Sequence, residues 1–345
     1  MIHPLQDDLD HILGHVRDGV EELRGARLFV TGGSGFFGKW ILESLIWMNQ
    51  RLNLDCRVTV LTRSPDSFRA RAPQLAEHEI ISAFEGDIRS FEFPAGTFTH
   101  IIHAATESSA KLNAEAPLLM LDTIIAGTRR ALDFAKTCGA KKFLFTSSGA
   151  VYGKQPPDMT HISEEYPGAP VPFERASAYG HGKRLAEHLC ALYADASLEV
   201  KIARGFAFVG PYLPLDIHFA IGNFIRDALR GGPIIVQGDG TPRRSYLYAA
   251  DLAIWLWTIL LRGESCRPYN VGGEESLSIA ETARSVAGCV SPSMQVEVRG
   301  VPNPASAIER YVPSTSRARD ELGLTQLIGM KDATRRTLQY FRGRI

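Results

Sequence analysis

Apolar positions along the chain fall into two alternating rhythms. Short, mostly apolar runs at Arg27–Thr31, Arg57–Leu61, Glu79–Phe84, His100–His103, Lys142–Ser147 and Glu199–Ala203 read as buried strands. Between them, Phe37–Met48, Ala114–Cys138 and Ala178–Ala194 carry apolar residues three and four apart, which predicts helices. Strands and helices in alternation imply an α/β fold, a doubly wound parallel sheet with helices on both faces. An opening segment, Leu5–Leu23, places Leu5, Leu9, Ile12, Leu13, Val16 and Val20 at helical spacing and predicts an extra helix packed on that domain. After Gly205 the alternation breaks down and Pro and Gly become frequent. The expected organisation is a helical extension over 1–25, a main domain over 26–204 to which 246–272 returns, and a smaller C-terminal lobe from 205–245 and 273–345.

Composition narrows the classes of function. The 345 residues are 45% hydrophobic, enough for a sizeable core, and Lys+Arg and Asp+Glu balance at 38 each. Without a basic excess the chain has no general attraction to nucleic acid or an anionic membrane, so any anion site must be local. Five scattered cysteines (Cys56, Cys138, Cys190, Cys266, Cys289) with no CxxC pair suggest neither disulfides nor a bound metal, and fit reduced thiols in the cytoplasm. The first residues lack an apolar signal core and the apolar stretch Leu252–Leu261 is too short to span a bilayer, so a soluble protein is expected.

Between the first strand and the first helix stands Thr31-Gly-Gly-Ser-Gly-Phe-Phe-Gly38. Gly33, Gly35 and Gly38 satisfy GxGxxG in the strand–turn–helix context a dinucleotide needs, with Gly32, Ser34, Phe36 and Phe37 completing the loop. The second strand ends Leu61-Thr62-Arg63, without the carboxylate that would accept hydrogen bonds from an unmodified ribose diol. Arg63 suits a 2′-phosphate, which favours NADP over NAD; the alternative is a solvated turn residue stacking on adenine. Asp87, in Gly86-Asp87-Ile88, is placed either near the adenine amino group or in a surface turn.

Tyr179-Gly-His-Gly-Lys183 has YxxxK spacing, which puts phenol and ammonium on one helix face, one turn apart. A phenol of ordinary pKa is a poor acid or base at neutral pH, and a neighbouring ammonium would favour its phenolate. Lys183 can also hold a nicotinamide ribose. Ser148, in Phe143-Leu-Phe-Thr-Ser-Ser148, leaves the C-terminal edge of the sheet, where open α/β sheets bind ligands, and can hydrogen-bond a reacting oxygen.

Fingerprint, serine and YxxxK, in this order and separation, resemble the extended short-chain dehydrogenase/reductase family, also called the NAD-dependent epimerase/dehydratase family. The resemblance runs from about Arg27 to Leu324. It implies a Rossmann sheet with a smaller C-terminal substrate-binding lobe, an NADP or NAD cofactor, and a nucleoside-diphosphate sugar as substrate. It implies cofactor contacts from Ile88 and from Ile102-His103-Ala104-Ala105, substrate contacts from Gly149 and Asn223, and a diphosphate ligand in Arg244 of Gly238-Asp-Gly-Thr-Pro-Arg-Arg-Ser-Tyr246. Arg310 is a second diphosphate candidate; its alternative is a surface salt bridge. A homodimer is implied through the YxxxK helix and the long helix before it, using Ala191, Leu192, Leu119 and Leu121, which could equally be core residues.

Departures from the family's pattern select among reactions. Where 4,6-dehydratases of the family carry Thr-Asp-Glu, this chain has Ser148-Gly149-Ala150, so the acid and base for losing water are missing, and so is the glutamate expected of a UDP-glucuronate decarboxylase. Ala207-Phe208 and Ile124 replace asparagines common in the family. The leading expectation is an NDP-4-keto-6-deoxysugar reductase of the dTDP-4-dehydro-6-deoxyglucose type, with an NDP-sugar 4-epimerase holding NAD tightly as the alternative. A small-carbonyl reductase would have little use for Arg244, and a non-catalytic NADP-binding protein would have little use for Ser148, Tyr179 and Lys183 together.

Overall fold

The computed structural model describes residues 3–16, 18–105, 110–217, 219–290 and 294–344. Six strands of its central sheet are β1 (Arg27–Thr31), β2 (Arg57–Thr62), β3 (Ile81–Glu85), β4 (His100–His103), β5 (Lys142–Ser148) and β6 (Glu199–Gly205). With the edge strand Pro268–Val271 they form a seven-stranded sheet in which β6, β5, β4, β1, β2 and β3 follow one another from that edge. β1 pairs in parallel with both β2 and β4, β2 with β3, and β4 with β5. This is the doubly wound α/β arrangement, and the strand order reverses between β1 and β4, where such sheets open a ligand crevice at their C-terminal edge.

Cα packing divides the chain into two units. The first comprises residues 1–151, 169–204 and 253–269; the second comprises 152–168, 205–252 and 270–345. In the first, Phe29 on β1 packs with Phe91, Phe98 and Phe134, ring centroids 4.7–5.6 Å away, under the long helix Pro117–Cys138. Trp40 and Trp257 are also fully buried, and the Trp257 indole donates to Ser44 Oγ at 2.8 Å. In the second unit the helices Ala220–Leu229 and Ile279–Ala287 pack together, and the strand Arg243–Arg244 lies between Leu277–Ser278 and Arg310–Tyr311. Among the described residues no helix is long and apolar enough to cross a membrane.

Two helices predicted as continuous are broken, each for a local reason. The opening segment forms a helix only over Gln6–His15, followed by a short 3₁₀ turn at Val20–Leu23 that Gly19 enters with φ of 91°. The Ala114–Cys138 run divides into Ala110–Glu115 and Pro117–Cys138, because Pro117 has no N–H to continue a helix and is suited to starting one.

Candidate active site

The glycine loop is built so that its backbone, rather than side chains, fills the turn. Gly32 has φ of +75°, and a Cβ there would lie 2.5 Å from the Ala104 carbonyl oxygen. A Cβ on Gly38 would lie 2.2 Å from the Gly32 carbonyl oxygen, so only glycine lets the helix Phe36–Leu52 approach the turn. Ser34 and Gly35 are exposed, Gly33 is buried, and Phe36 and Phe37 are half-buried. Among the described residues no side chain caps the helix N-terminus at Gly35, and a helix N-terminus is suited to receiving a phosphate.

Thr31 closes this loop against the next strand, a role the sequence reading missed. Its hydroxyl accepts from Ala105 N–H at 3.1 Å and bonds His103 Nδ1 at 2.8 Å; His103 Nε2 reaches Thr128 Oγ1 at 3.1 Å. Burial, helped by the nearby Lys183 charge, pushes the His103 imidazole down to about 3, so it is a neutral brace holding His103-Ala104-Ala105 beside the glycines. Beyond β2, Thr62 bonds the Ser64 carbonyl at 3.3 Å and Arg63 is exposed. Asp87 is held by Arg89 at 2.8 Å, and its carboxyl lies below the usual range because of that bond, with Arg63 adding to the effect. Ile88 is buried in contact with Gly127. Lys39 is lowered by burial and by the nearby Arg71, with Glu43 opposing.

Ser148, Tyr179 and Lys183 lie within the first unit, and the structure brings them together. Ser148, buried at the end of β5, is hydrogen-bonded to the Tyr179 hydroxyl. Lys183, 2% exposed, sends its ammonium to the Thr146 carbonyl at 2.7 Å, 5.9 Å from the Tyr179 ring centre and 4.7 Å from that of Phe145. Asn113, another residue not foreseen, accepts from Tyr179 N–H at 3.1 Å and donates to the Ala176 carbonyl, fixing the start of the helix Ala178–Tyr193.

The electrostatics differ from the simple expectation that the lysine lowers the tyrosine. Burial raises the Tyr179 phenol above its ordinary value, and the opposing influence is the Ser148 hydrogen bond. Burial also takes Lys183 down to about 7, against the attraction of Glu187. A group itself drawn towards neutrality is a weak source of positive potential, which explains the difference.

Gly149 opens the 3₁₀ turn Gly149–Tyr152, in which Ala150 N–H donates to Ser148 Oγ at 3.2 Å. Neither residue supplies a carboxylate. In the second unit Arg244 is half-buried, donates to the Arg243 carbonyl at 2.9 Å, pairs with Glu309 and lies 5.9 Å from the Tyr311 ring centre. Arg310 is not the surface salt bridge weighed above; its Nε is buried and lacks a hydrogen-bond partner among the described residues. Register pairs Arg310 with Arg243 and Tyr311 with Arg244, and side-chain alternation therefore puts Arg244 and Arg310 on opposite faces of their small sheet. The expected pair of guanidiniums is not assembled on one face. Asn223 on the helix Ala220–Leu229 accepts from Arg226 at 3.0 Å.

A doubly wound sheet with a glycine cradle at its switch point and a Ser–Tyr–Lys set beyond the next strands defines a nucleotide-cofactor enzyme of the short-chain type. The chain matches the model of the NAD dependent epimerase/dehydratase family over residues 28–272 and belongs to that family. It is 30% identical over 336 residues to UDP-glucuronic acid decarboxylase 1 of Arabidopsis thaliana, covering 96% of this chain and 73% of that protein. Among solved structures it resembles UDP-N-acetylglucosamine 4-epimerase of Methanobrevibacter ruminantium, with a TM-score of 0.79, 21% identity, and 93% and 99% of the two chains covered. It likewise resembles the NAD complex of UDP-glucose 4-epimerase from Thermus thermophilus, with a TM-score of 0.76, 26% identity, and 92% and 100% covered.

Proposed function

We propose that the protein carries out hydride chemistry at C4 of a nucleoside-diphosphate sugar and acts as an NDP-sugar 4-epimerase with tightly held NAD. The observation that carries this is the Ser148–Tyr179–Lys183 set followed by Gly149 and Ala150, a site with proton-transfer groups for a sugar hydroxyl in which the two residues after Ser148 bring no carboxylate for losing water or CO2. Gly32–Gly38, the His103–Ala105 segment and Lys183 fit a nicotinamide dinucleotide, which when bound accepts and returns hydride. Tyr179 would take the C4 hydroxyl proton and give it back, Ser148 would hold the C4 oxygen, and Lys183 would hold the ribose. Arg244 is the proposed diphosphate ligand, with Gly149 and Asn223 as further sugar or nucleotide contacts. Arg310, on the opposite face of its small sheet, would not share that diphosphate.

A second reading, the NADPH-dependent 4-keto-6-deoxysugar reductase, is favoured by one feature, the exposed Arg63 directly after a β2 that ends without a carboxylate. One experiment separates the two. Purified protein is mixed with UDP-glucose, UDP-N-acetylglucosamine and UDP-glucuronate without added cofactor, and separately with dTDP-4-keto-6-deoxyglucose and NADPH. The expected result is C4-isomer formation with NAD released on denaturation. Stoichiometric NADPH loss with no isomerisation would replace the epimerase with the reductase.

A homodimer is proposed through the helices Pro117–Cys138 and Ala178–Tyr193, which expose Leu118, Leu119, Leu185 and Leu192 by 76, 42, 43 and 66%. Ala191 is also exposed, whereas Leu121 is half-buried against Gly182. Leu118→Glu/Leu192→Glu is expected to halve the mass seen by light scattering, because two buried carboxylates would oppose association; an unchanged mass would place any interface elsewhere. Five free thiols support a reducing, cytoplasmic location.

A further inference from the structure

We propose that Glu187 is a positioning residue whose carboxylate, clamped by Arg204 and Ser147, sets the charge and placement of Lys183. The inference rests on the cofactor reading above and extends it to a residue outside the YxxxK motif. Glu187 follows Lys183 by one helical turn, on the same face. Arg204, at the end of β6, donates from Nε to Oε1 at 2.9 Å and from Nη2 to Oε2 at 2.6 Å, and Ser147 Oγ donates to Oε1 at 2.5 Å. The Arg204 and Glu187 side chains are only 13% and 10% exposed.

A buried ion pair of this kind contributes little net stability, since desolvation offsets the attraction. It does hold one negative charge rigidly beside a buried ammonium. Ser147 also immediately precedes Ser148, so the carboxylate ties together the strand carrying the serine and the helix carrying Tyr179 and Lys183.

Among the groups that raise Lys183, Glu187 acts most strongly and Cys190, a thiol itself raised by burial, less so. Tyr179, on the same helix, is raised by burial and neutral. From β4 comes His103, neutral for the reason given above, and β5 offers the Thr146 carbonyl and the Phe145 ring. Arg204 on β6 is engaged in the fork to Glu187. Burial draws Lys183 down and Glu187 opposes it, leaving the lysine at about 7, so removing the carboxylate charge moves it lower still. An ammonium that donates to the cofactor ribose then loses its proton at a lower pH.

The test is NADH binding, followed by cofactor fluorescence from about pH 5.5 to 9. Wild-type affinity should fall as pH rises through the Lys183 midpoint near 7; in Glu187→Gln, which keeps the shape but replaces one accepting oxygen with an NH2 and removes the charge, that midpoint should move down by about one pH unit. Glu187→Asp, which restores the charge, should move it back. Should Glu187→Gln fail to fold by circular dichroism, Ser147→Ala, which loosens the clamp and leaves the carboxylate, should give a smaller shift in the same direction. Equal midpoints in wild type and a folded variant would overturn the proposal. Absence of NADH binding by wild type at every pH would instead refute the cofactor reading, and the role of Glu187 with it.

Discussion

Tyr179→Phe is expected to lower turnover by about a thousandfold while leaving NAD affinity within about threefold. The ring stays partly buried against the core of the first unit, and only the hydroxyl that meets Ser148 is lost. Stability should fall by about 1 kcal/mol, the worth of one buried hydrogen bond whose partner Ser148 is left to rearrange. Phenylalanine cannot carry a proton, and Lys183, committed to the Thr146 carbonyl, is not a substitute. Because burial raises the phenol, the phenolate fraction grows through the alkaline range, so wild-type turnover in the direction that removes the sugar hydroxyl proton should rise with pH there. Isomer formation at saturating nucleotide sugar, with bound NAD quantified in the same samples, measures both halves of this expectation. Turnover within tenfold of wild type would show that another group moves the proton.

Much of this site was legible in the sequence because its parts are local. A glycine turn, a serine at a strand end and a YxxxK pair are each set by neighbours a few residues apart, and the strands β1 to β6 run close to where the apolar runs place them. The helix breaks were written in Pro117 and Gly19, but an apolar period that continues across such residues conceals them. What could not be read is long-range. Glu187 gains its meaning from Ser147 and Arg204, 40 and 17 residues away, and Thr31 meets His103 across a gap of 72. Arg244 and Arg310 each carry the charge a diphosphate needs. Which faces they take depends on the register of two-residue strands, and tertiary pairing rather than local sequence sets that register.

Gly38→Ala is expected to destabilise the protein by about 1–3 kcal/mol and to abolish measurable cofactor binding. The added Cβ would sit 2.2 Å from the Gly32 carbonyl oxygen and 2.4 Å from the Gly33 Cα, both backbone atoms, so no flexible side chain can yield. Relief requires the helix Phe36–Leu52 to withdraw from the turn, and Trp40, Ile41, Leu42 and Leu45 on that helix are buried and would move with it. Withdrawal also carries the first-turn N–H groups away from the place of a pyrophosphate. Gly35→Ala separates the two effects. At Gly35 φ is −81° and a Cβ would meet only the Gly32 oxygen, at 3.3 Å, so folding should change by no more than about 0.5 kcal/mol. That Cβ stands on the exposed side of the loop, where a phosphate must approach the backbone, and NADH affinity should still fall. Thermal unfolding without cofactor, paired with NADH titration, distinguishes the variants: Gly38→Ala should lose in both measurements and Gly35→Ala in the second alone. A Gly38→Ala protein that unfolds at the wild-type temperature would mean that the loop can relax without moving the helix, and the backbone contact would then not be what shapes the cofactor cradle.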